Sequence, residues 1–295
     1  MSISVQERLS DAQVWEALIP HMGYAALLRN LRNFDQAAIP DNVAAKVIDR
    51  LTDPDEVARS RQLPFRFLSA YREAPSLRWG HALEVALGHA CRNIPSFPGR
   101  TAILCDTSAS MTDTVSAKSK IKRVDVGALF GVALAARGSD VTLCGFADGL
   151  FHHSLQPGGS VLKQTQAFTD RIGEVGHGTQ ALEAVAAVLS AAPQTGSKAP
   201  LRRIVLISDM QTMNARRGTW YWMRNPGQHN DTVSALVPKH INLFGWDLAG
   251  YANTQIDTSK PGRFELGGFS DRCFTIMSML DQGIGSGFPW ENTNA

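Results

Sequence analysis

Between Asp11 and Asn93 apolar residues recur at helical spacing: Tyr24, Leu27, Leu28, Leu31 and Phe34, then Val43, Val47, Ile48 and Leu51, then Trp79, Leu83, Ala86, Leu87 and Ala90. Residues three and four apart share one face of a helix, so each set predicts an amphipathic helix with one buried stripe. Pro20, Pro40, Pro54, Pro64 and Pro75 break the pattern. Asp41 and Asp53 stand where N-caps belong, Asp53 with Glu56 three residues on. The segment reads as about five or six short helices packed in series. Helix pairs of about 40–47 residues are the unit of helical solenoids, so there is room for about two such units.

The pattern changes at Ile94-Pro95-Ser96-Phe97-Pro98-Gly99, and the domain boundary is placed there, with residues 1–95 as the helical-repeat segment and 96–295 as a second domain. Beyond it, short apolar runs at Thr101–Cys105, Val141–Phe146, Ile204–Ser208 and Ile241–Trp246 alternate with helical stretches at about Val124–Arg137 and Ala181–Ala191. Strands that alternate with helices imply a mostly parallel sheet covered on both faces. The predicted fold class is α/β, a doubly wound, mostly parallel sheet preceded by a small all-α helical-repeat segment. In such sheets ligands bind at the carboxyl ends of the strands.

Composition narrows the picture only a little. The 295 residues are 44% apolar and 19% charged, as in ordinary globular proteins. A formal charge of +2 gives bulk electrostatics no reason to favour nucleic acid, so an RNA contact would need a local basic patch. Cys91, Cys105, Cys144 and Cys273 form no CxxC pair and no zinc spacing, and read as reduced core thiols. No run approaches the roughly 18 apolar residues of a membrane span, and Met1–Ser10 lacks the order of a signal peptide. The expectation is a soluble cytoplasmic protein with no membrane partner.

The first strand runs directly into Asp106-Thr107-Ser108-Ala109-Ser110. By residue frequencies a D-x-S-x-S string turns up in roughly one chain of this length in ten, so its setting must give it meaning. A second loop offers Gly176-His177-Gly178-Thr179 before a helix, and a third strand ends in Ile207-Ser208-Asp209. Hydroxyls and carboxylates from three strand ends form an oxygen-only donor set, which suits Mg²⁺ or Mn²⁺ and disfavours zinc.

At these residues the chain resembles the von Willebrand factor A family and its metal-ion-dependent adhesion site. The match is Asp106, Ser108, Ser110, Thr179 and Asp209. The resemblance implies that Ser108 and Ser110 bind the metal through their hydroxyls, with Thr179 and the aspartates acting directly or through water. One position stays open to an acidic group from a partner. A second resemblance lies in Val14–Pro20 with Gly23-Tyr24, in Leu27–Phe34 and in Ser60–Phe67, which look like the Ro autoantigen family. Those proteins join a ring of helical repeats, the TROVE module, to a C-terminal A domain. Membership implies a cytosolic RNA-binding protein that holds small noncoding or misfolded RNA. Here only about 95 residues precede the A domain, whereas the family's helical part is several times longer. The expectation is that no ring closes and that the earlier surfaces gripping RNA are absent.

Among the weaker features, arginine dominates the cations of the helical segment. Arg29 with Arg32, and Arg59 with Arg61 and Arg66, are the candidates for phosphate contacts, joined by Lys120 beside the metal loop. Lys118, Lys122 and Arg123 share that loop, and Arg216, Arg217 and Arg224 flank Trp220-Tyr221-Trp222. Aromatics between arginines can stack on unpaired bases, although covering a core edge is the commoner use of such residues. His177 is expected to orient its loop. No histidine base stands in register with Ser108, and no G-x-S-x-G, P-loop or G-x-G-x-x-G occurs at the site. Nothing points to an enzyme. The competing function is a protein-interaction module whose metal accepts a partner's Glu or Asp.

Overall fold

The structure is a computed structural model and describes residues 9–74, 76–117, 119–191, 199–211, 233–250, 256–270 and 272–283. The chain divides into two compact units, Met1–Arg92 and Asn93–Ala295.

The first unit is built from α1 (Asp11–Leu18), α2 (Tyr24–Gln36), α3 (Asp41–Thr52), α4 (Pro54–Ser60), α5 (Pro64–Glu73) and α6 (Leu77–Ala90). The periodic stripes become its core: Leu27, Leu31 and Phe34 from α2, Val47 and Leu51 from α3, Phe67 from α5, and Trp79, Leu83 and Leu87 from α6 are almost wholly buried. Phe34 meets Trp15 and Trp79 edge to face, with centroids at 5.1 and 6.4 Å, the arrangement the ring quadrupole favours. The indole of Trp79 donates to Asp35 at 2.9 Å, and the Tyr24 hydroxyl to the Leu51 carbonyl at 3.0 Å. Burial of that phenol raises its pKa.

One of the two predicted caps forms. Asp53 accepts from the backbone N–H groups of Asp55 and Glu56 at 2.7 and 2.9 Å and so caps α4. Glu56 does not close a reciprocal box; it takes the guanidinium of Arg50 instead, at 2.9 Å. At α3 the capping position is occupied by Pro40, which lacks a side-chain acceptor, and Asp41 lies in the first helical turn. Its carboxylate pairs with Arg78 at 2.6 Å. Asp41 is therefore not a cap, although its charge still suits a helix N-terminus.

The second unit holds a six-stranded sheet in the order β3-β2-β1-β4-β5-β6, formed by β1 (Arg100–Asp106), β2 (Val141–Phe146), β3 (Leu150–His153), β4 (Leu201–Ser208), β5 (Asn242–Asp247) and β6 (Arg263–Gly267). All neighbours are parallel except the β2–β3 pair. Its helices among the described residues are α7 (Arg123–Ala135), α8 (Val161–Thr169), α9 (Ala181–Ala191), the short α10 (Val233–Leu236) and α11 (Arg272–Asp281). β1 and β4 lie at the centre, and β1 alternates between two buried faces. Ala102 and Leu104 join Ala181 and Val185 of α9 in one core. Ile103 and Cys105 face α7, which approaches so closely that a Cβ at Gly131 would stand 2.5 Å from the Cys105 sulfur. On that side Phe130 stacks on Trp246 at 4.7 Å and meets Phe274 edge to face at 5.5 Å. The mostly parallel, doubly wound sheet is as the strand pattern predicted.

At the amino ends of the strands Arg203 is completely buried. It forks onto Asp281 at 3.0 and 2.6 Å, and donates to the Thr101 hydroxyl and the Pro98 carbonyl, both at 2.7 Å. Asp281 also accepts from Asn242 at 3.0 Å. A buried guanidinium left without its carboxylate is strongly destabilising. Asp281→Ala is therefore expected to cost about 3–5 kcal/mol, read from urea denaturation. A loss below about 1 kcal/mol, the size of an exposed ion pair, would show that water reaches the pair.

Candidate metal centre at the carboxyl ends of the central strands

β1 and β4 are adjacent, yet the chain leaves β1 toward β2 on one side and continues from β4 toward β5 on the other. Loops after such a pair of strands diverge and leave a crevice between them, the switch point where doubly wound sheets bind ligands. β1 ends in Asp106, and β4 ends in Ser208 followed by Asp209.

Asp106 is 1% exposed. One carboxylate oxygen accepts from the Ser108 N–H at 2.8 Å, and the other from the Ser208 hydroxyl at 2.6 Å. The Ser208 oxygen in turn accepts from the Met210 N–H at 3.0 Å. Thr107 fastens the loop to β2, since its N–H and its hydroxyl both donate to the Phe146 carbonyl, at 2.8 and 2.9 Å. Thus fixed, the loop brings the hydroxyl oxygens of Ser108 and Ser110 to 3.3 Å of each other.

Asp209 is fully buried. Its Oδ1 accepts from the Gln211 N–H at 3.2 Å. Its Oδ2 accepts no hydrogen bond; a guanidinium nitrogen of Arg123 stands 3.8 Å from it. A buried carboxylate oxygen in this state is costly unless a cation reaches it. Burial, with the neighbouring Asp209 carboxylate adding to it, pushes the Asp106 carboxyl up to about 7 against the pull of its hydrogen bonds. Two acids and two paired hydroxyls with an unsatisfied oxygen form a donor set that fits a hard divalent cation. Among the described residues no group of three His, Cys, Asp or Glu is placed to hold a metal.

Thr179 arrives on a third loop and is 5% exposed. Asp148, in the turn between β2 and β3, accepts from the N–H groups of His177 and Gly178 at 2.9 and 3.1 Å, and these bonds hold its carboxyl below the usual range. The fit demands glycine: a Cβ at either Gly176 or Gly178 would lie 2.1 Å from an Asp148 oxygen, and Gly176 has φ +89°. The Ala109 N–H donates to the His177 carbonyl at 2.9 Å, which locks this loop to the Asp106 loop. His177 acts there through its backbone.

Asp106, Ser108 and Ser110 are thus drawn together directly, while Asp209 and Thr179 sit on the two loops fastened to theirs. Ser208, Asp148 and Arg123 complete the site, although none belongs to the predicted donor set. Among the RNA candidates Arg29, Arg32, Arg59, Arg61 and Arg66 are exposed. Arg32 pairs with Glu73 at 3.0 Å, and Arg66 stands over the Phe65 ring at 5.0 Å. Lys120 is exposed on the loop between the metal residues and α7. Lys118, Arg216, Arg217, Arg224 and Trp220–Trp222 lie outside the described residues.

Residues 4–99 match the TROVE domain and residues 101–211 the von Willebrand factor type A domain. Among curated proteins, telomerase protein component 1 of Mus musculus is 41% identical over 66 residues, which are 22% of this chain and 2% of that protein. Among solved structures, the Ro (RSR) protein of Deinococcus radiodurans superposes with a TM-score of 0.61 at 20% identity, covering 92% of this chain and 55% of that one. At that identity the likeness is one of fold. The chain spans only part of the length of both relatives.

The Asp106 carboxyl titrates higher folded than unfolded, so its effect on stability has a definite sign. Below about pH 4 it is protonated in both states. As the pH rises toward 7, the unfolded chain releases a proton that the folded one retains, and metal-free protein loses stability, by on the order of 4 kcal/mol once above pH 7. Asp106→Asn keeps the acceptor for Ser108 without the charge. In EDTA it is expected to be the more stable protein at pH 8 and to match the parent near pH 4. Parallel stability profiles for the two proteins would show that Asp106 ionises freely.

Proposed function

Because this chain joins a TROVE domain to a von Willebrand factor type A domain, as Ro-family proteins do, we propose that it is a cytoplasmic, non-enzymatic RNA-binding protein of ribonucleoprotein type, with a divalent-cation site in its A domain. The observation that carries the RNA reading is the TROVE match over residues 4–99, on a helical unit whose outer arginines are exposed. Arg50 and Arg78 of that unit are held by Glu56 and Asp41, and the exposed Arg29, Arg32, Arg59, Arg61 and Arg66 would form the surface for phosphates of small noncoding or misfolded RNA. Four buried cysteines, none in a disulfide, agree with a reducing compartment.

The cation would be Mg²⁺ or Mn²⁺, held by Ser108 and Ser110 with Asp106, Asp209 and Thr179 directly or through water. The observation behind it is the buried Asp209 oxygen that accepts no hydrogen bond. Bound there, the ion would act as an electrophile for an anionic oxygen from a ligand. Asp106 and its hydrogen bonds fix the loop, and Asp148 fixes the loop of Thr179. A second reading follows from the same oxygen-only donor set: the ligand is a Glu or Asp of a partner protein, and the chain is a metal-dependent protein-interaction module.

Two measurements test these readings. Asp106→Ala is expected to abolish Mg²⁺ or Mn²⁺ binding by calorimetry, and Asp148→Ala to weaken it by about 10–100-fold, the usual cost of losing a residue that orients a metal ligand. Unchanged affinity in Asp106→Ala would sink the site. A structured RNA with a single-stranded 3′ end is expected to bind in a mobility-shift assay with micromolar or tighter affinity that falls steeply with salt. Replacing Arg59 and Arg66 by Glu should weaken that binding at least about tenfold by reversing contacts to phosphate. No binding at low salt, with EDTA-sensitive binding to an acidic protein, would leave the interaction module as the function.

A further inference from the structure

Among the described residues, three that are not glycine have a positive φ: Ala38, Arg61 and Met210. Ala38 and Arg61 follow the ends of α2 and α4, where a left-handed residue commonly closes a helix. Met210 has no such setting. It comes directly after Asp209, beyond the end of β4, with φ +59°, and is only 1% exposed. A residue with a Cβ is penalised in this conformation and keeps it only where its surroundings hold it. The hold is a gap in β5. Gly245 pairs with Leu206 of β4, and a Cβ there would stand 3.0 Å from the Met210 methyl carbon and 2.3 Å from Ile256. The side chain that Gly245 lacks leaves the space that the Met210 thioether enters.

The left-handed turn orients the acid before it. The Met210 N–H donates to the Ser208 hydroxyl oxygen at 3.0 Å. The Gln211 N–H, whose direction the Met210 dihedrals set, donates to Oδ1 of Asp209 at 3.2 Å. One carboxylate oxygen is thereby tied to the chain that follows. The other, Oδ2, accepts no hydrogen bond and is left for a cation. A right-handed or extended Met210 would swing the Gln211 N–H away and free the carboxylate to rotate. We propose that Met210 is a positioning residue of the cation site: its thioether, seated on Gly245, holds the left-handed turn that fixes Asp209 with Oδ2 presented to the ion. The inference rests on the cation site proposed above.

The test uses the full chain and two variants, Met210→Ala and Met210→Gly, with Mn²⁺ alone as the probe, titrated by calorimetry on protein shown to be folded by circular dichroism. Both variants lose the thioether, but only alanine keeps the Cβ that penalises a left-handed backbone. Met210→Ala is expected to relax the turn and bind Mn²⁺ about tenfold more weakly than the parent, the population cost of a left-handed residue with a Cβ. Met210→Gly enters the left-handed region as readily as the right-handed one and should stay within about threefold of the parent. A methionine that only filled the core would leave both folded variants with the parent's affinity, and that result would overturn the proposal. Glycine binding more weakly than alanine would overturn it too, because the left-handed turn would then not be what orients Asp209. Should the parent itself bind no Mn²⁺, the cation site would fall, and this inference with it. Should Met210→Ala be unfolded, Met210→Leu decides in its place, since leucine keeps a buried apolar side chain but is one atom shorter than the thioether. A loss of about tenfold is expected there, and parental affinity would overturn the proposal.

Discussion

The buried Asp106 carboxylate is the constraint on which the second unit turns. Its two oxygens are claimed by the Ser108 N–H and the Ser208 hydroxyl, so a single side chain sets the curvature of the loop after β1 and ties that loop to the end of β4. Everything that could touch a ligand follows from this pair of bonds. Ser108 and Ser110 face one another because the loop is turned by the first, and Asp209 stands beside them because Ser208 is held by the second. The arrangement comes at the expense of a carboxyl taken out of water next to another acid, the kind of local penalty that functional sites retain and the rest of a fold must offset.

The offset is visible at the opposite end of the same strands. Arg203 lies near the start of β4 as Ser208 ends it, and its bonds to Asp281, Thr101 and Pro98 gather β1, β4 and α11 around one satisfied guanidinium. Between the two ends the apolar alternation of β1 packs α9 on one face and α7 on the other. Gly131 permits the contact with Cys105 that draws α7 against the strand. The helix that follows the metal loop therefore begins where close packing places it, and Arg123, at its first residue, is delivered to the site by the core.

Much of this was legible from periodicity. The central strands and α9 emerge where apolar runs predict them, because a strand or helix buried on both sides has little room for polar residues. The edges were harder. β3 is only Leu150–His153 and carries two histidines, and β6 opens with Arg263, whose buried guanidinium is satisfied by backbone carbonyls, including that of Ile241 at 2.8 Å. A charged residue at an inward position hides a strand from any reading based on apolar alternation. α8 and α11 carry mixed faces, with Gln164, Thr165 and Ser278 buried among apolar neighbours, and they blur for the same reason. At the site, the D-x-S-x-S spacing and the Gly-His-Gly-Thr loop marked two loops that the structure fastens together. Asp148 was invisible because an Asp-Gly pair reads as an ordinary turn, and only the close approach of Gly176 and Gly178 reveals what the carboxylate holds.

The same distinction between charge as composition and charge as placement applies to the helical unit. Its cations are almost all arginine, yet packing divides them. Arg50 donates to Glu56 and to the Met22 carbonyl, and Arg78 reaches Asp41 and the Ile39 carbonyl, so both join elements that are distant in sequence and neither can leave without loosening the unit. Arg32 is tied to Glu73, but with half of its side chain exposed that pair contributes little. Arg61 ends α4 in a left-handed conformation, and the Arg66 guanidinium carbon stands 5.0 Å from the centroid of the Phe65 ring. Net charge, at +2 for the whole chain, conceals this sorting, because the acidic residues that cancel the arginines in the sum are in part the ones that hold Arg50 and Arg78 away from any ligand.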